Sequence, residues 1–203
     1  MPNDPLTVLD AWTAVAPTPT EMRRAMGAFA SGVTVVTGAD AQCEPVGFAC
    51  QSFASVSLEP PLVLFCADRK GRAWPRIRES GRFCVNVLTE DQTELCGRFG
   101  SSRGRKFEGL DWDLSRWGTP ALRGVLMRAH AEVVDVHPAG DHYLVVGRVL
   151  ELETPAAEGG ESGEEPRPMV FYRGRFGLDG ERAATPEPVP EAFALWARDS
   201  HWG

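Results

Sequence analysis

Short apolar and β-branched runs, separated by turns containing glycine, proline and aspartate, dominate the middle of the chain. Such runs predict β-strands, and the segments that carry them are 33–37, 62–67, 83–88, 125–136, 143–152 and 169–172. The polar-alternating segment 46–57 predicts a mostly extended chain, and 144–149 predicts a strand buried on both faces. Many short strands with two or three helices predict an all-β barrel with helical additions.

Polar caps and helical spacing predict the helices. Thr20 is predicted to cap a helix near 21–29, and Thr89 to cap a later helix that has acidic residues in its first turn. The apolar side chains on one face of the first helix are Met22, Met26 and Phe29. A helix between these two is predicted to face Trp74 and Ile77 inward and to end at Gly81.

The remaining segments predict loops and terminal extensions around a domain at 21–180. Residues 1–20 form an N-terminal arm, and 181–203 form a Pro-rich linker with an aromatic C-terminal tail. The glycine-rich segment 100–124 predicts a long ordered loop, and 153–168 predicts a solvated acidic loop. The aromatic residues of the long loop and the tail are Phe107, Trp112, Trp117, Phe193, Trp196 and Trp202.

Composition excludes several classes of function. The chain has 203 residues and a formal charge of −7, which argues against nucleic acid or an anionic membrane as the main partner. No apolar run is long enough to span a bilayer, and no signal peptide is recognisable. The five cysteines are odd in number and lack C-x-x-C spacing, so reduced thiols, no metal site and a cytoplasmic location are predicted.

The segment 139–149 carries the most informative chemistry. Gly140, Asp141 and His142 form a predicted turn directly before an apolar run, which places an imidazole at the mouth of a strand. Imidazole is the side chain best able to donate a proton or a hydrogen bond near neutral pH. The alternative is a turn histidine without chemistry.

Two further segments suit a flat, phosphate-bearing ligand. The extended segment 47–57 has small and polar residues on alternate positions, which would expose amides and hydroxyls. The turn 68–72 carries Lys70 and Arg72 beside a glycine, which suits a phosphate or pyrophosphate. The alternatives are a half-buried strand with its serine face in water and a solvated basic loop.

The order and spacing of five segments resemble the short-chain flavin reductases, from about residue 22 to 178. The matching segments are 27–37 (GAFASGVTVVT), 52–63 (SFASVSLEPPLV), Trp74-Pro75 with 81–88 (GRFCVNVL), the Gly-Asp-His turn, and 171–177 (FYRGRFG). These reductases are components of two-component flavin-dependent monooxygenases. The resemblance implies a mainly β fold, the FMN-binding split β-barrel with a few flanking helices, and a homodimer with flavin near the subunit interface.

The resemblance also implies a reaction and a set of site residues. The reaction is hydride transfer from NADH or NADPH to FMN or FAD, with reduced flavin released to a transient partner oxygenase. Positions that match flavin contacts in the family are Cys50, Gln51, Ser52, Phe53, Ser57, Lys70, Arg72, Asn86, Lys106 and Phe107. Positions that match the nicotinamide side are His142, as the catalytic candidate, with Tyr172 and Arg173.

Departures from the family pattern keep two alternatives open. Residues 70–73 read Lys-Gly-Arg-Ala where relatives offer serine and threonine hydroxyls, and His130-Ala131 replaces an acidic residue and a cysteine. One alternative is a self-contained flavoenzyme that acts on an organic substrate in specialised metabolism. The other is a flavin carrier without catalytic activity.

Overall fold

Antiparallel strands make up most of the fold, which confirms the predicted mainly β class. The computed structural model describes residues 16–154 and 166–177, so the predictions for 1–15, 155–165 and the C-terminal tail lie outside the described residues. The helices are α1 (Pro19–Met26), α2 (Ala73–Ser80) and α3 (Thr93–Gly100). The strands are β1 (Ser31–Gly32), β2 (Thr34–Ala39), β3 (Pro45–Cys50), β4 (Ala54–Leu58), β5 (Pro61–Asp68), β6 (Arg82–Val87), β7 (Trp112–Leu114), β8 (Pro120–Leu122), β9 (Met127–Ala139), β10 (His142–Glu153), β11 (Val170–Tyr172) and β12 (Arg175–Phe176).

A seven-stranded sheet in the order β3-β2-β6-β9-β10-β5-β4 carries the fold. Its two edge strands, β3 and β4, are consecutive in the chain and are joined only by residues 51–53, so the sheet must curl until its edges meet. At this seam the Cys66 amide of β5 donates to Ser52 Oγ at 2.8 Å. The thiol of Cys50 lies 3.3 Å from the same oxygen. The barrel is therefore split, because side chains hold the seam in place of a main-chain ladder.

Period-two alternation divides the apolar residues between the two faces of this sheet. Val36 faces an inner core with Phe65, Phe83 and Trp74, and α2 packs over that core. Val35 faces an outer core with Phe99 of α3. Strands β2 and β3 are thus anchored on both faces, because each contributes residues to the inner and to the outer core.

Two helix starts differ from the prediction. Helix α1 is capped by Thr18, whose hydroxyl accepts from the Glu21 amide at 3.3 Å while the Glu21 carboxylate accepts from the Thr18 amide at 2.8 Å. Proline at the first helical position and glutamate at the third favour this earlier start over Thr20. Helix α3 begins at Thr93 rather than after Thr89, because Thr89 bridges Pro168 as an extension of the strands.

Three strand predictions also need correction. Segment 46–57 is interrupted at 51–53, where the chain changes its partner strand from β2 to β5. The predicted loop 100–124 contains the β7–β8 ribbon. Segment 144–149 is not buried on both faces, because Arg148 is exposed and pairs with Glu132. No helix among the described residues has the length and apolar character to cross a membrane.

A buried histidine fastens the β7–β8 ribbon to the sheet. His130 is fully buried; its Nδ1 lies 2.8 Å from Thr119 Oγ1 and its Nε2 lies 3.2 Å from Glu153 Oε1. Burial lowers the pKa of His130 despite the neighbouring carboxylate. A neutral ring satisfies both contacts, with Nδ1 accepting from Thr119 and Nε2 donating to Glu153. This residue has a structural role that its departure from the family pattern did not reveal.

The close packing of Gly147 in β10 generates a stability prediction. A Cβ at this position would lie within 2.7 Å of Cε1 of Phe83 in the inner core. We expect Gly147→Ala to lower the free energy of unfolding by about 1–3 kcal/mol, measured by urea denaturation. Gly32→Ala is the matched control, since its Cβ would meet nothing within 4 Å. Equal stability of the two variants would contradict the prediction.

Candidate active site

The predicted basic turn and the predicted histidine turn lie side by side. His142 begins β10 and pairs in register with Asp68 at the end of β5, so the two strand ends carry both turns. The Arg69 amide donates to Asp141 O at 3.0 Å. The Asp68 carboxylate shapes the basic turn by accepting from the Lys70 amide at 2.7 Å. The sheet register thereby brings two segments that are 70 residues apart in sequence into one site.

The orientation of the His142 imidazole is fixed by its neighbour. Its Nδ1 lies 2.7 Å from Asp141 Oδ1, and the side chain is about a quarter exposed. The hydrogen bond from His142, helped by the charge of Lys70, lowers the pKa of the Asp141 carboxyl. Because a carboxylate only accepts, Nδ1 carries a proton and Nε2 is the atom free to address a ligand.

A cavity of about 900 Å³ adjoins the basic turn. It lies between β3, the start of α2, and the segment from the end of α3 to residue 108. Four residues predicted to bind a cofactor line it together, namely Lys70, Arg72, Lys106 and Phe107. Lys70 and Lys106 are also the only two lysines in the chain. The lining carries five cationic side chains against three carboxylates, those of Glu44, Asp68 and Glu108, so cations predominate in the cavity.

Lys106 is partly buried against the wall of this cavity. Its Nζ donates to Phe99 O at 2.8 Å and to Gly47 O at 3.2 Å. Burial, together with the charge of Arg72, lowers the pKa of Lys106 to about 8. A charged group that is disfavoured by burial and by a second cation is stabilised when an anion binds. This arrangement suits a phosphate-bearing ligand.

The segment that carries Lys106 is held over the cavity from both ends. The guanidinium of Arg72 donates to Ser102 O. Phe107 packs edge-on against Phe99 and Trp112, with ring centroids 5.1 and 5.6 Å apart. The Arg72 guanidinium thus spans the gap between the basic turn and the opposite wall.

The seam at 51–53 presents a different kind of surface. The Cys50 thiol is buried, and burial raises its pKa, so it is not a nucleophile. Nε2 of Gln51 is buried and has no hydrogen-bond partner among the described residues. Phe53 packs on the inner core, and Ser57 is half-buried on β4 opposite Leu62. The orphaned amide of Gln51 marks this strand break as a place for a polar ligand.

Asn86 needs correction as a predicted cofactor contact. Its side chain is fully buried in β6. Nδ2 donates to Val35 O and to Thr37 Oγ1 at 3.0 Å each, and Oδ1 accepts from the Leu122 amide at 2.9 Å. Asn86 therefore joins β2 and the β7–β8 ribbon, and its amide has no capacity left for a ligand.

Tyr172 and Arg173 lie away from His142 in the topology of the chain. Tyr172 ends β11 and Arg173 begins the turn to β12, in a small sheet of order β1-β11-β12 that is separate from the sheet of His142. The guanidinium of Arg173 lies over the Tyr172 ring at 5.2 Å, and its amide donates to Gly27 O at 2.9 Å. Within the described residues of one chain, the two parts of the predicted nicotinamide site therefore lie in different sheets.

The structure adds residues that were not among the predicted site positions. Arg69 reaches from the basic turn to the histidine turn, and Arg76 binds the Asp40 carboxylate beside the cavity at 2.5 Å. The Arg76 contact lowers the pKa of Asp40. Both arginines lie in or just after the basic segment 68–72, but charge alone does not indicate which cations face protein and which face the cavity.

Comparisons with known proteins identify what this arrangement is similar to. The model of the flavin reductase like domain matches residues 26–177. The reductase subunit of a flavin-dependent monooxygenase from Mycobacterium tuberculosis is 45% identical over 189 residues, which cover 91% of this chain and 96% of the relative.

Solved structures agree with this match. Nitrilotriacetate monooxygenase component B from Mycobacterium thermoresistibile has a TM-score of 0.71 at 45% identity, covering 81% of this chain and 88% of its own. The NADH:FAD oxidoreductase of Streptomyces globisporus, solved with NAD and FAD fragments, has a TM-score of 0.70 at 30% identity, covering 84% and 99%.

The environment of Lys106 generates a prediction for the unliganded protein. Because the chain has two lysines, selective ¹³C-lysine labelling gives two side-chain signals, which Lys70→Arg assigns. We expect Lys106 to titrate near pH 8 rather than at 10.5, and its pKa to rise when a phosphate-bearing ligand is added. A signal that titrates at the ordinary value, with or without ligand, would contradict this environment.

The same shift predicts how stability depends on pH. Between about pH 8 and 10.5 the unfolded chain holds the Lys106 proton more tightly than the folded protein does, so this group favours folding increasingly as pH rises. The gain is at most about 3 kcal/mol over that interval. We expect urea denaturation to show this rise in the wild type relative to Lys106→Met, and no such difference between the wild type and Lys70→Met.

Proposed function

The chain belongs to the flavin reductase like family, and from that membership we propose that the cationic cavity and the adjoining His142 turn form its active site. The protein is an NAD(P)H:flavin oxidoreductase that supplies reduced FMN or FAD to a partner monooxygenase. The names of its relatives specify NADH, which we propose as its donor. We also propose that 21–180 is the functional domain.

The observation that carries the assignment is the convergence of cations beside the histidine turn. Lys70, Arg72 and Lys106 line one cavity, whose size suits a nucleotide-sized ligand. The lowered pKa of Lys106 supports a phosphate there, since a bound dianion would offset the burial of the ammonium. The orphaned Gln51 amide supports a polar ring edge at the seam. These features fit a flavin.

The residues of the chain bind and orient, while the cofactors carry the redox chemistry. Bound flavin supplies the ring that accepts a hydride from the nicotinamide. The three cations would hold the phosphate, and the seam at 51–53 would receive the ring. His142 would offer Nε2 to the nicotinamide, with Asp141 holding its other nitrogen. Fixed placement of two reactants is itself a large part of the rate enhancement.

We propose a homodimer with a site shared between subunits. Apolar side chains remain exposed on α1, on the segment after it and on β4, and include Phe29 at 73% and Leu58 at 90% exposure. Such surface favours association. A shared site would also account for the separation of Tyr172 from His142 in one chain. We expect sedimentation at micromolar concentration to give a dimer; an active monomer would contradict this.

We propose a cytoplasmic location from the state of the cysteines. The five cysteines are free, which supports a reducing, cytoplasmic location.

The self-contained flavoenzyme and the flavin carrier are not favoured, since the relatives are reductase components. The deciding experiment is NAD(P)H oxidation by the purified protein with added flavin and no other substrate. Turnover supports the reductase, whereas a need for an organic substrate, or flavin binding without turnover, would overturn it.

Removal of the two cations of the basic turn that line the cavity, Lys70 and Arg72, should weaken flavin binding. Charge-assisted contacts to phosphate contribute about 1.5–3 kcal/mol each, so we expect Lys70→Ala with Arg72→Ala to raise the flavin Kd at least about tenfold. Fluorescence titration measures this value. Arg78→Ala with Arg148→Ala removes two exposed cations outside the cavity and should leave the Kd unchanged. If Lys70→Ala with Arg72→Ala binds flavin as tightly as the wild type, the basic turn is a solvated loop that does not contact the flavin.

Removal of the His142 ring should slow NAD(P)H oxidation and spare flavin affinity. We expect His142→Ala to lower kcat/KM for NAD(P)H about tenfold, the equivalent of one lost hydrogen bond. If His142 is a proton donor, kcat carries the loss; if it only contacts the nicotinamide, KM carries the change. His137→Ala, on the same hairpin, is the control. If His142→Ala oxidises NAD(P)H at the wild-type rate, His142 is a turn histidine without a role in the reaction.

A further inference from the structure

Arg69 links the two turns of the site by three separate contacts. Its amide donates to Asp141 O at 3.0 Å. Its guanidinium Nη1 donates to Gly140 O at 3.2 Å and lies over the Tyr143 ring, 5.5 Å from the centroid. These three partners flank His142 on both sides along the chain. Two of the three contacts, those to Gly140 O and to the Tyr143 ring, come from the side chain, which therefore spans the tip of the β9–β10 hairpin.

The two residues at the tip of this hairpin, Gly140 and Asp141, lie just beyond the ladders that pair His142 with Asp68 and with Ala139. Gly140 is exposed in the left-handed region with φ of 62°, and the neighbouring Asp141 side chain is 89% exposed. Exposed turns with few packed contacts open at low free-energy cost. The contacts of Arg69 oppose that opening, since a cation over an aromatic ring and a charge-assisted hydrogen bond each stabilise the arrangement.

The three cations of the basic turn thus have different tasks. Arg72 and Lys70 line the cavity, whereas Arg69 does not and points its guanidinium to the hairpin. The β5–β10 ladder places His142 beside the basic turn, and the Arg69 side chain, by holding the adjoining hairpin tip, limits how far His142 can shift relative to the cations. Hydride transfer is sensitive to this distance, because a displacement of about 1 Å can cost up to about a hundredfold in rate.

We propose that Arg69 is a positioning residue that holds His142 in register with the bound flavin. The proposal rests on the proposed function, in which His142 meets the nicotinamide and the cavity holds the flavin phosphate. Arg69 touches neither ligand and acts only through the placement of the hairpin. It follows that its removal should affect nicotinamide use, leave flavin affinity intact, and matter only while His142 is present.

The experiment compares Arg69→Ala with Arg78→Ala, an exposed arginine at the end of α2. We expect Arg69→Ala to lower kcat/KM for NADH about tenfold with the flavin Kd within twofold of wild type. In the unliganded protein, hydrogen exchange at the amides of 139–143 should be faster in Arg69→Ala and unchanged in Arg78→Ala. Arg69→Lys keeps a cation near Tyr143 and Gly140, so it should recover much of the loss.

A double-mutant cycle separates positioning from general destabilisation. In a His142→Ala background, Arg69→Ala should have no further effect on kcat/KM. The same effect in both backgrounds, a loss of flavin affinity, or kinetics equal to those of Arg78→Ala would overturn the proposal. Should Arg69→Ala fail to fold, Arg69→Met keeps the aliphatic stem and removes both the donor and the cation; wild-type exchange with wild-type kinetics in Arg69→Met would overturn the proposal. A wild type that does not reduce flavin overturns the proposed function instead.

Discussion

The seam at residues 51–53 is the constraint on which the site depends. The sheet has two edge strands that are neighbours in the chain, so a three-residue link forces those edges together. Ser52 occupies a main-chain position of the missing ladder by accepting from the Cys66 amide. Because the seam is closed by side chains, some polar groups remain free there, among them the amide of Gln51. A seam that is closed by side chains thus leaves a polar group without a protein partner, which supports the proposed binding surface there.

The charges of the cavity are the second constraint on the proposed site. The cavity concentrates Arg72 and Lys106 at close range, and burial makes the ammonium costly enough to lower its pKa to about 8. The fold tolerates this because Lys106 donates to two carbonyls and the inner and outer cores hold the surrounding strands. A bound anion would offset the free-energy cost of holding the Lys106 ammonium next to Arg72 in a partly buried position. The crowding of cations that destabilises the unliganded protein would therefore stabilise the anion complex.

The candidate site was predictable where chemistry is local in the sequence. The Gly-Asp-His turn and the basic turn are each contiguous, and their neighbouring strands are apolar enough to be recognised. The sequence could not indicate that Asn86 is consumed by internal hydrogen bonds, because its partners are Val35 and Leu122 in distant strands. For the same reason the sequence could not distinguish Arg69 from the other cations of the turn, because its partner Gly140 lies in a distant segment.

Local physics determined most elements from the sequence alone. Apolar alternation specified the strands, Gly81 ended α2 in the left-handed conformation, and Trp74 and Ile77 were correctly placed inward. Helix starts at Thr18 and Thr93 depended on competing caps and on the bridge of Thr89 to Pro168. Only the tertiary structure decided which strands are edges, where the sheet closes, and which of several similar cations meet. Those outcomes depend on register and burial between distant segments, and no short window of sequence contains that information.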